Sequence, residues 1–155
     1  MAIEIERKFR IVGESWRPLV TKTRNLRQAY LAYNDRISMR VRIDDGKAAT
    51  LTIKTVAPGI ERHEYEYPIP VADAENLLDR REGAVISKTR HLVPAGGLVW
   101  EIDLFTGDNE GLRIAEVELD HAEQVVECPE WIGEEVTGDR RFYNADLSQH
   151  PFSRW

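Results

Sequence analysis

Charged side chains at alternate positions mark several short segments of this sequence. The first segment, residues 3–9 (IEIERKF), places Glu4, Glu6 and Lys8 on one parity and mostly apolar residues on the other. Later segments carry same-sign pairs or a single base, namely Arg40 with Arg42, Lys54, Glu64 with Glu66, Lys88 with Arg90, Glu101 with Asp103, and Glu116 with Glu118. Paired carboxylates could bind a divalent cation, which prefers oxygen ligands. Paired bases could bind a polyanion.

Alternation at period two predicts β-strands with two unlike faces. One interpretation is an open antiparallel sheet whose charged face meets water. However, like charges at i and i+2 repel and gain nothing beside water, whereas they become useful when an ion of opposite sign lies between the strands. About eight antiparallel strands can close into a barrel that holds a small ligand. The second interpretation is therefore an inverted barrel, whose inward charges must be paired, hydrated or liganded.

Turn residues and periodicity predict an α+β fold built on eight antiparallel strands. The strands are expected near 2–11, 25–34, 36–44, 48–57, 61–69, 84–94, 97–106 and 112–120. Turns are expected at Asn34-Asp35, Asp44-Asp45-Gly46, Ala57-Pro58-Gly59, 94–97 and 107–109, since Gly, Asn and Asp tolerate positive φ. Helices are expected over 71–81 and 120–127, with weaker candidates at 14–22 and in the tail from Arg140.

Length and composition narrow the class of protein. The 155 residues suit a single domain spanning 1–155, and the net charge of −6 argues against a general nucleic-acid surface. Cys128 is the only cysteine, which favours a reducing, cytoplasmic setting. No apolar stretch reaches membrane-spanning length, so no membrane partner is expected. The sequence specifies no oligomeric state.

The ordered series of charged segments resembles a known family. Residues 4–8 (EIERK) are similar to the ExExK signature of the CYTH domain, the core of the triphosphate tunnel metalloenzymes. The later charged positions follow in that family's order. Residues 136–147 (VTGDRRFYNADL) resemble the C-terminal helix region of short bacterial members.

The resemblance implies an eight-stranded antiparallel β-barrel, a tunnel with a charged interior and helices packed outside, that binds triphosphate substrates with Mg²⁺ or Mn²⁺. It assigns Glu4, Glu6, Glu116 and Glu118 to the metal site, with Glu64 and Glu66 serving a second metal or orienting its waters. Asp103 would be a metal ligand or would hold a ligand in place. The implied phosphate-binding residues are Lys8, Arg40, Arg42, Lys54, Lys88 and Arg90.

Catalysis is expected to depend on Lys88 together with the metal-site residues Glu4 and Glu6. Lys88 could orient or deprotonate the attacking water, because neighbouring cations can lower its pKa, or it could simply bind phosphate. The leading hypothesis is an inorganic triphosphatase that cleaves tripolyphosphate to pyrophosphate and phosphate. The alternatives are a thiamine or nucleoside triphosphatase, a class IV adenylate cyclase, and a non-catalytic module that binds polyphosphate or a nucleotide.

Overall fold

The computed structural model describes residues 1–56 and 60–155, which form one antiparallel sheet of nine strands. The strands are β1 (Ala2–Ile11), β2 (Lys22–Tyr33), β3 (Ile37–Asp44), β4 (Ala48–Thr55), β5 (Glu61–Ile69), β6 (Glu82–Ala95), β7 (Leu98–Phe105), β8 (Arg113–Glu118) and β9 (Ile132–Glu135). Their order is β5-β4-β3-β2-β6-β7-β8-β1-β9, and β1 also pairs with β5. This last pairing closes β1 to β8 into a barrel, as the sequence predicts.

The β1 strand closes the barrel by pairing with different partners along its length. Its first half lies beside β5, with Ala2 opposite Glu64, while Glu6 to Arg10 lie opposite Glu118 to Ile114 of β8. Residues near Ile11 pair with β9. Because residues directly opposite each other in a sheet point to the same face, this register gathers the charged parity of neighbouring strands on one side. That side is the barrel interior, which confirms the inverted-barrel interpretation.

The apolar parity faces outward and is covered in two places. On β1, β7 and β8, Phe9 and Trp100 pack with Trp16 and Trp131, which come from the loops before β2 and before β9. On β2 to β4, Ala29, Val41 and Ile43 lie under helix α1 (Val71–Leu78), whose buried residues are Ala74 and Leu78. These two outer clusters hold the barrel together from outside, through burial of apolar surface.

A third apolar cluster closes one end of the barrel. Ile86, Phe105 and Ile114 share the inward parity with the charged residues, and they pack against Phe142 and Leu147 from the chain after β9. We name residues 136–154 the C-terminal plug. It contains short helical turns at Arg140–Phe142, Asn144–Leu147 (α2) and Phe152–Arg154.

The plug is fixed to β6 by close backbone contact. The Ala84 N–H donates to the Ser148 carbonyl at 2.9 Å. At the neighbouring Gly83, whose φ is +73°, a Cβ atom would lie only 2.5 Å from that same oxygen. Only glycine fits this position, because both the backbone conformation and the approach of Ser148 exclude a side chain.

The prediction of a helix over 120–127 is wrong. The segment forms turns and irregular chain, with Val125 89% exposed and Val126 alone packed on the outer cluster of Trp100. An eight-residue helix is marginal without a well-packed face, and Pro129 follows two residues after the segment ends. The 14–22 candidate forms only a 3-10 turn, Arg17–Leu19. The α1 prediction holds for Val71–Leu78, three residues shorter than expected.

Other boundaries differ in detail. Strand β2 begins at Lys22 rather than residue 25, β6 begins at Glu82 rather than 84, and β9 has no counterpart among the predicted strands. The predicted turn at Ala57-Pro58-Gly59 lies outside the described residues. Among the residues described, no helix is long and apolar enough to cross a membrane.

Candidate functional site

A cavity of about 790 Å³ occupies the barrel interior. The residues expected at the site all line it except Asp103, and they are Glu4, Glu6, Lys8, Arg40, Arg42, Lys54, Glu64, Glu66, Lys88, Arg90, Glu116 and Glu118. Glu101 lines it as well. The period-two pattern therefore places residues from seven strands around one space, although they are far apart in sequence.

One part of the wall is rich in carboxylates that lack enough positive partners. Burial, reinforced by the charge of Glu116, raises the pKa of Glu6 to about 8. Burial also raises the pKa of Glu4, although Lys54 lies 2.9 Å from its carboxylate and opposes the effect. Burial and the charge of Glu4 raise the pKa of Glu118. A bound cation would relieve this repulsion, so the donor set fits a divalent metal ion.

These carboxylates stand in pairs rather than in a preassembled metal cage. Glu6 lies opposite Glu118 in the sheet, and Glu4 and Glu64 share the ammonium of Lys54, at 2.9 Å and 3.6 Å. Within 1–56 and 60–155, no three His, Cys, Asp or Glu side chains already converge on one point as a metal site. A metal ion here would need substrate oxygens or water to complete its coordination, as Mg²⁺ commonly does.

Asp103 lies behind the cavity wall and holds two bases in place. Its side chain is completely buried, and its oxygens accept hydrogen bonds from Lys88 at 2.7 Å and from Arg90 at 2.8 Å. Arg90 also pairs with Glu101 and, at 3.4 Å, with Glu116. Of the two roles that the sequence leaves open for Asp103, this geometry favours the support of neighbouring side chains over contact with a metal.

Lys88 is the most deeply buried base of the site. The exposed fraction of its side chain is 0%, and its ammonium donates to Asp103 and, at 3.2 Å, to the Asn144 amide oxygen of the plug. Burial, together with the charges of Arg90 and Arg42, lowers the pKa of Lys88 to about 8, although Asp103 opposes the shift. This amine can lose its proton at a moderately alkaline pH.

The two arginines of β3 differ from the other bases in their partners. Arg40 donates to the Thr52 hydroxyl at 3.4 Å, and Arg42 donates to the Gln28 amide oxygen at 2.9 Å. Neither makes a salt bridge within the described part of the chain, whereas Lys8, Lys54, Lys88 and Arg90 all do. Burial and the charges of Arg40 and Arg90 lower the pKa of Arg42 to about 9. This wall is therefore an uncompensated positive surface suited to an anion.

The plug supplies site residues that the strand pattern could not indicate. Lys8 donates to the Phe142 carbonyl at 3.2 Å, and the ring of Tyr143 lies 5.6 Å from the same ammonium. At the edge of the cavity, Arg140 donates to the hydroxyl of Tyr33 at 3.1 Å. The only sequence signal for these residues is the resemblance of 136–147 to the family's C-terminal region. The sequence pattern also does not indicate Gln28, the partner of Arg42, because uncharged residues fall outside the pattern of alternating charges.

Comparison with known proteins agrees with this geometry. The family model of the CYTH domain matches residues 2–143. An inorganic triphosphatase of Acetivibrio thermocellus is 42% identical over 156 residues, covering 100% of this chain and 99% of the relative. An inorganic triphosphatase of Nitrosomonas europaea is 38% identical over 150 residues, covering 94% of this chain and 96% of the relative.

A solved structure gives the same relationship in three dimensions. The crystal structure of an inorganic triphosphatase superimposes with a TM-score of 0.65 at 35% identity, covering 96% of this chain and 95% of that one. The resemblance read from the ExExK signature and the charged strands is thus confirmed, and the chain belongs to the CYTH domain family.

Proposed function

We propose that this protein is a divalent-metal-dependent inorganic triphosphatase, which hydrolyses tripolyphosphate to pyrophosphate and phosphate. The observation that carries the proposal is one cavity inside the closed barrel, in which the uncompensated Arg40 and Arg42 share the wall with the carboxylates of Glu4, Glu6 and Glu118. A chain of phosphates bound together with a metal ion would satisfy both charge sets. The names of the two curated relatives support the same substrate.

Family membership implies a divalent metal cofactor, and we propose Mg²⁺ or Mn²⁺. Glu4, Glu6 and Glu118 would hold it, with Glu64 and Glu66 nearby on β5. Glu116 would contribute from a carboxylate that stays ionised, because Lys8 and Arg90 outweigh its burial and lower its pKa well below the ordinary value. The bound ion would supply neutralisation of the negative charge on the reacting phosphate.

The basic residues would bind the phosphate chain. Arg40 and Arg42 offer guanidinium groups that can each bind two phosphate oxygens, and no carboxylate has to be displaced from them. Lys8, Lys54 and Arg90 would share their charges between resident carboxylates and substrate. Water would then attack the terminal phosphorus in line, as the bond from that phosphorus to its bridging oxygen breaks.

We assign Lys88 the role of accepting a proton from the attacking water. The rate at saturating tripolyphosphate should therefore rise between about pH 7 and about pH 9, because the neutral amine becomes populated through its pKa of about 8. Replacement by arginine, which stays protonated, should reduce the rate on the order of a hundredfold. If Lys88 only bound phosphate, the rate would instead fall above pH 8, and Lys88→Arg would keep most of its activity.

The proposed function is tested by measuring phosphate release from tripolyphosphate, ATP and thiamine triphosphate. Each substrate is assayed with Mg²⁺, with Mn²⁺ and with a chelator. We expect the highest kcat/KM for tripolyphosphate and no turnover with the chelator. A higher kcat/KM for ATP or thiamine triphosphate would contradict the inorganic substrate and identify the protein as a nucleoside or thiamine triphosphatase. Tight binding of tripolyphosphate without any metal-dependent release would identify a binding module instead.

A further inference from the structure

Gln28 is a buried polar residue of the barrel wall to which the family pattern assigns no role. It lies on β2 directly opposite Arg42 of β3, and its side chain is fully buried. Its amide oxygen accepts the Nε–H of Arg42 at 2.9 Å. Arg42 lines the cavity, whereas Gln28 is not among the described residues that line it. Gln28 can therefore reach a ligand in the cavity only through Arg42.

Gln28 is an uncharged partner for Arg42, whereas the other site bases have charged partners. The expected phosphate-binding bases on the other strands each have a carboxylate within salt-bridge distance, and they are Lys8, Lys54, Lys88 and Arg90. A glutamate at position 28 would have nearly the same shape as glutamine and would pair with Arg42. The amide fixes the guanidinium in place without neutralising it, which a carboxylate could not do.

Stability alone does not account for Gln28. Its amide nitrogen is buried and has no hydrogen-bond partner among the described residues, and burying an unsatisfied donor is unfavourable. Nε of Arg40, two residues before Arg42 on β3, is likewise buried without a hydrogen-bond partner among the described residues. An apolar residue of similar length at position 28 would avoid this penalty, so the amide oxygen is the part of Gln28 with a structural use.

We propose that Gln28 is a positioning residue for substrate binding. Its amide oxygen holds Nε of Arg42, which leaves the two terminal nitrogens and the full positive charge of Arg42 available to a phosphate group. Thr52 holds Arg40 in the same uncharged manner, through its hydroxyl at 3.4 Å. The inference rests on the proposed function, since it takes the ligand to be an oligophosphate.

The experiment compares Gln28→Glu, Gln28→Met and the exposed control Gln149→Glu with the wild type. The affinity for tripolyphosphate is measured by calorimetry without metal, and KM and kcat are measured with Mg²⁺. We expect Gln28→Glu to bind about tenfold more weakly, or about 1.4 kcal/mol, because its carboxylate neutralises Arg42. KM should rise by a similar factor with a smaller change in kcat. Gln28→Met should be intermediate, and Gln149→Glu should match the wild type.

A double-variant comparison separates positioning from a general effect on the fold. In an Arg42→Ala background, Gln28→Met should cause little further loss of affinity, because its effect in the wild type acts through Arg42. The ligand-free melting temperature of Gln28→Glu should not fall, since the new carboxylate pairs with Arg42. A purely structural role would lower that temperature and leave the affinity of the folded protein unchanged.

The outcomes distinguish this inference from the function on which it rests. If both Gln28 variants bind tripolyphosphate within about twofold of the wild type, a difference of about 0.4 kcal/mol, the positioning role is overturned. The triphosphatase proposal then remains intact. Absence of both tripolyphosphate binding and Mg²⁺-dependent hydrolysis in the wild type would overturn both. Binding without hydrolysis would remove the catalytic proposal only, because the affinity comparison still decides the role of Gln28.

Discussion

Replacement of Glu6 by glutamine should lower metal-dependent hydrolysis of tripolyphosphate by about two orders of magnitude and should not destabilise the ligand-free protein. The loss of activity follows from removing one carboxylate of the proposed metal site. The retained stability follows because burial, reinforced by the charge of Glu116, raises the pKa of Glu6 to about 8, so a neutral glutamine removes no favourable charge pair from the ligand-free protein near neutral pH. The measurements are phosphate release with Mg²⁺ and thermal unfolding in a chelator.

The pH dependence of unfolding gives an independent check on Glu6. Its pKa is about 8 in the folded protein, against an ordinary value of 4.5. Between these values the folded state keeps a proton that the unfolded state has lost. The stabilising contribution is therefore complete below pH 4.5 and is lost as the pH rises to about 8. Glu6→Gln should show a weaker decline of melting temperature over this range, with metal absent.

The exposed Glu123→Gln is the matched control, since it makes the same substitution outside the barrel. It should leave both turnover and the pH dependence of unfolding unchanged. Nearly normal Mg²⁺-dependent hydrolysis by Glu6→Gln would contradict the assignment of Glu6 to the metal site.

The double variant Arg40→Ala, Arg42→Ala should lose most of the thermal stabilisation that tripolyphosphate gives the wild type. A ligand that binds only the folded state, at a hundredfold excess over Kd, stabilises it by about 2.7 kcal/mol. For a chain of 155 residues this corresponds to about 5 to 12 °C in melting temperature. The two β3 arginines should dominate this effect, because their partners Thr52 and Gln28 leave their charges uncompensated.

The measurement is the melting temperature with tripolyphosphate and with sulfate at equal ionic strength. Sulfate should give little stabilisation, because it cannot span the row of bases. The control variant Arg80→Ala, Arg154→Ala removes two exposed positive charges and should respond as the wild type does. An equal shift with both anions, or an unchanged shift in the Arg40, Arg42 variant, would contradict a specific phosphate site on β3.

The barrel and most of its inward residues could be predicted from sequence, because strand periodicity is local. Glu4 and Glu6, or Arg40 and Arg42, must share a face whatever surrounds them. Closure was inferred from charge, since like-charged neighbours repel and become useful only when an ion of opposite sign lies between the strands. Gln28 could not be found in this way, because its importance depends on the register that places it opposite Arg42.

The irregular parts of the site depend on tertiary contacts rather than on pattern. Asn144 reaches Lys88 because the plug docks on the barrel, through its apolar cluster and through the close backbone contact at Gly83 of β6. Strand β9 is four residues long and pairs with β1 at Phe9 and Ile11, on the edge of β1 that is left free beyond its pairing with β5. The 120–127 segment shows the converse, since a helical spacing of apolar residues there finds too little surface to bury.

The placement of apolar clusters outside the barrel also matters for protein engineering. Trp100 and its neighbours, and the α1 cluster around Val41, stabilise the fold from the outer face. The inner wall contributes more to ligand binding, through its charges, than to the stability of the fold. We therefore expect substitutions on the inner wall to affect binding and substitutions in the outer clusters to affect stability. The inner charged residues can then be redesigned to bind a different polyanion, while the unchanged outer apolar clusters maintain folding.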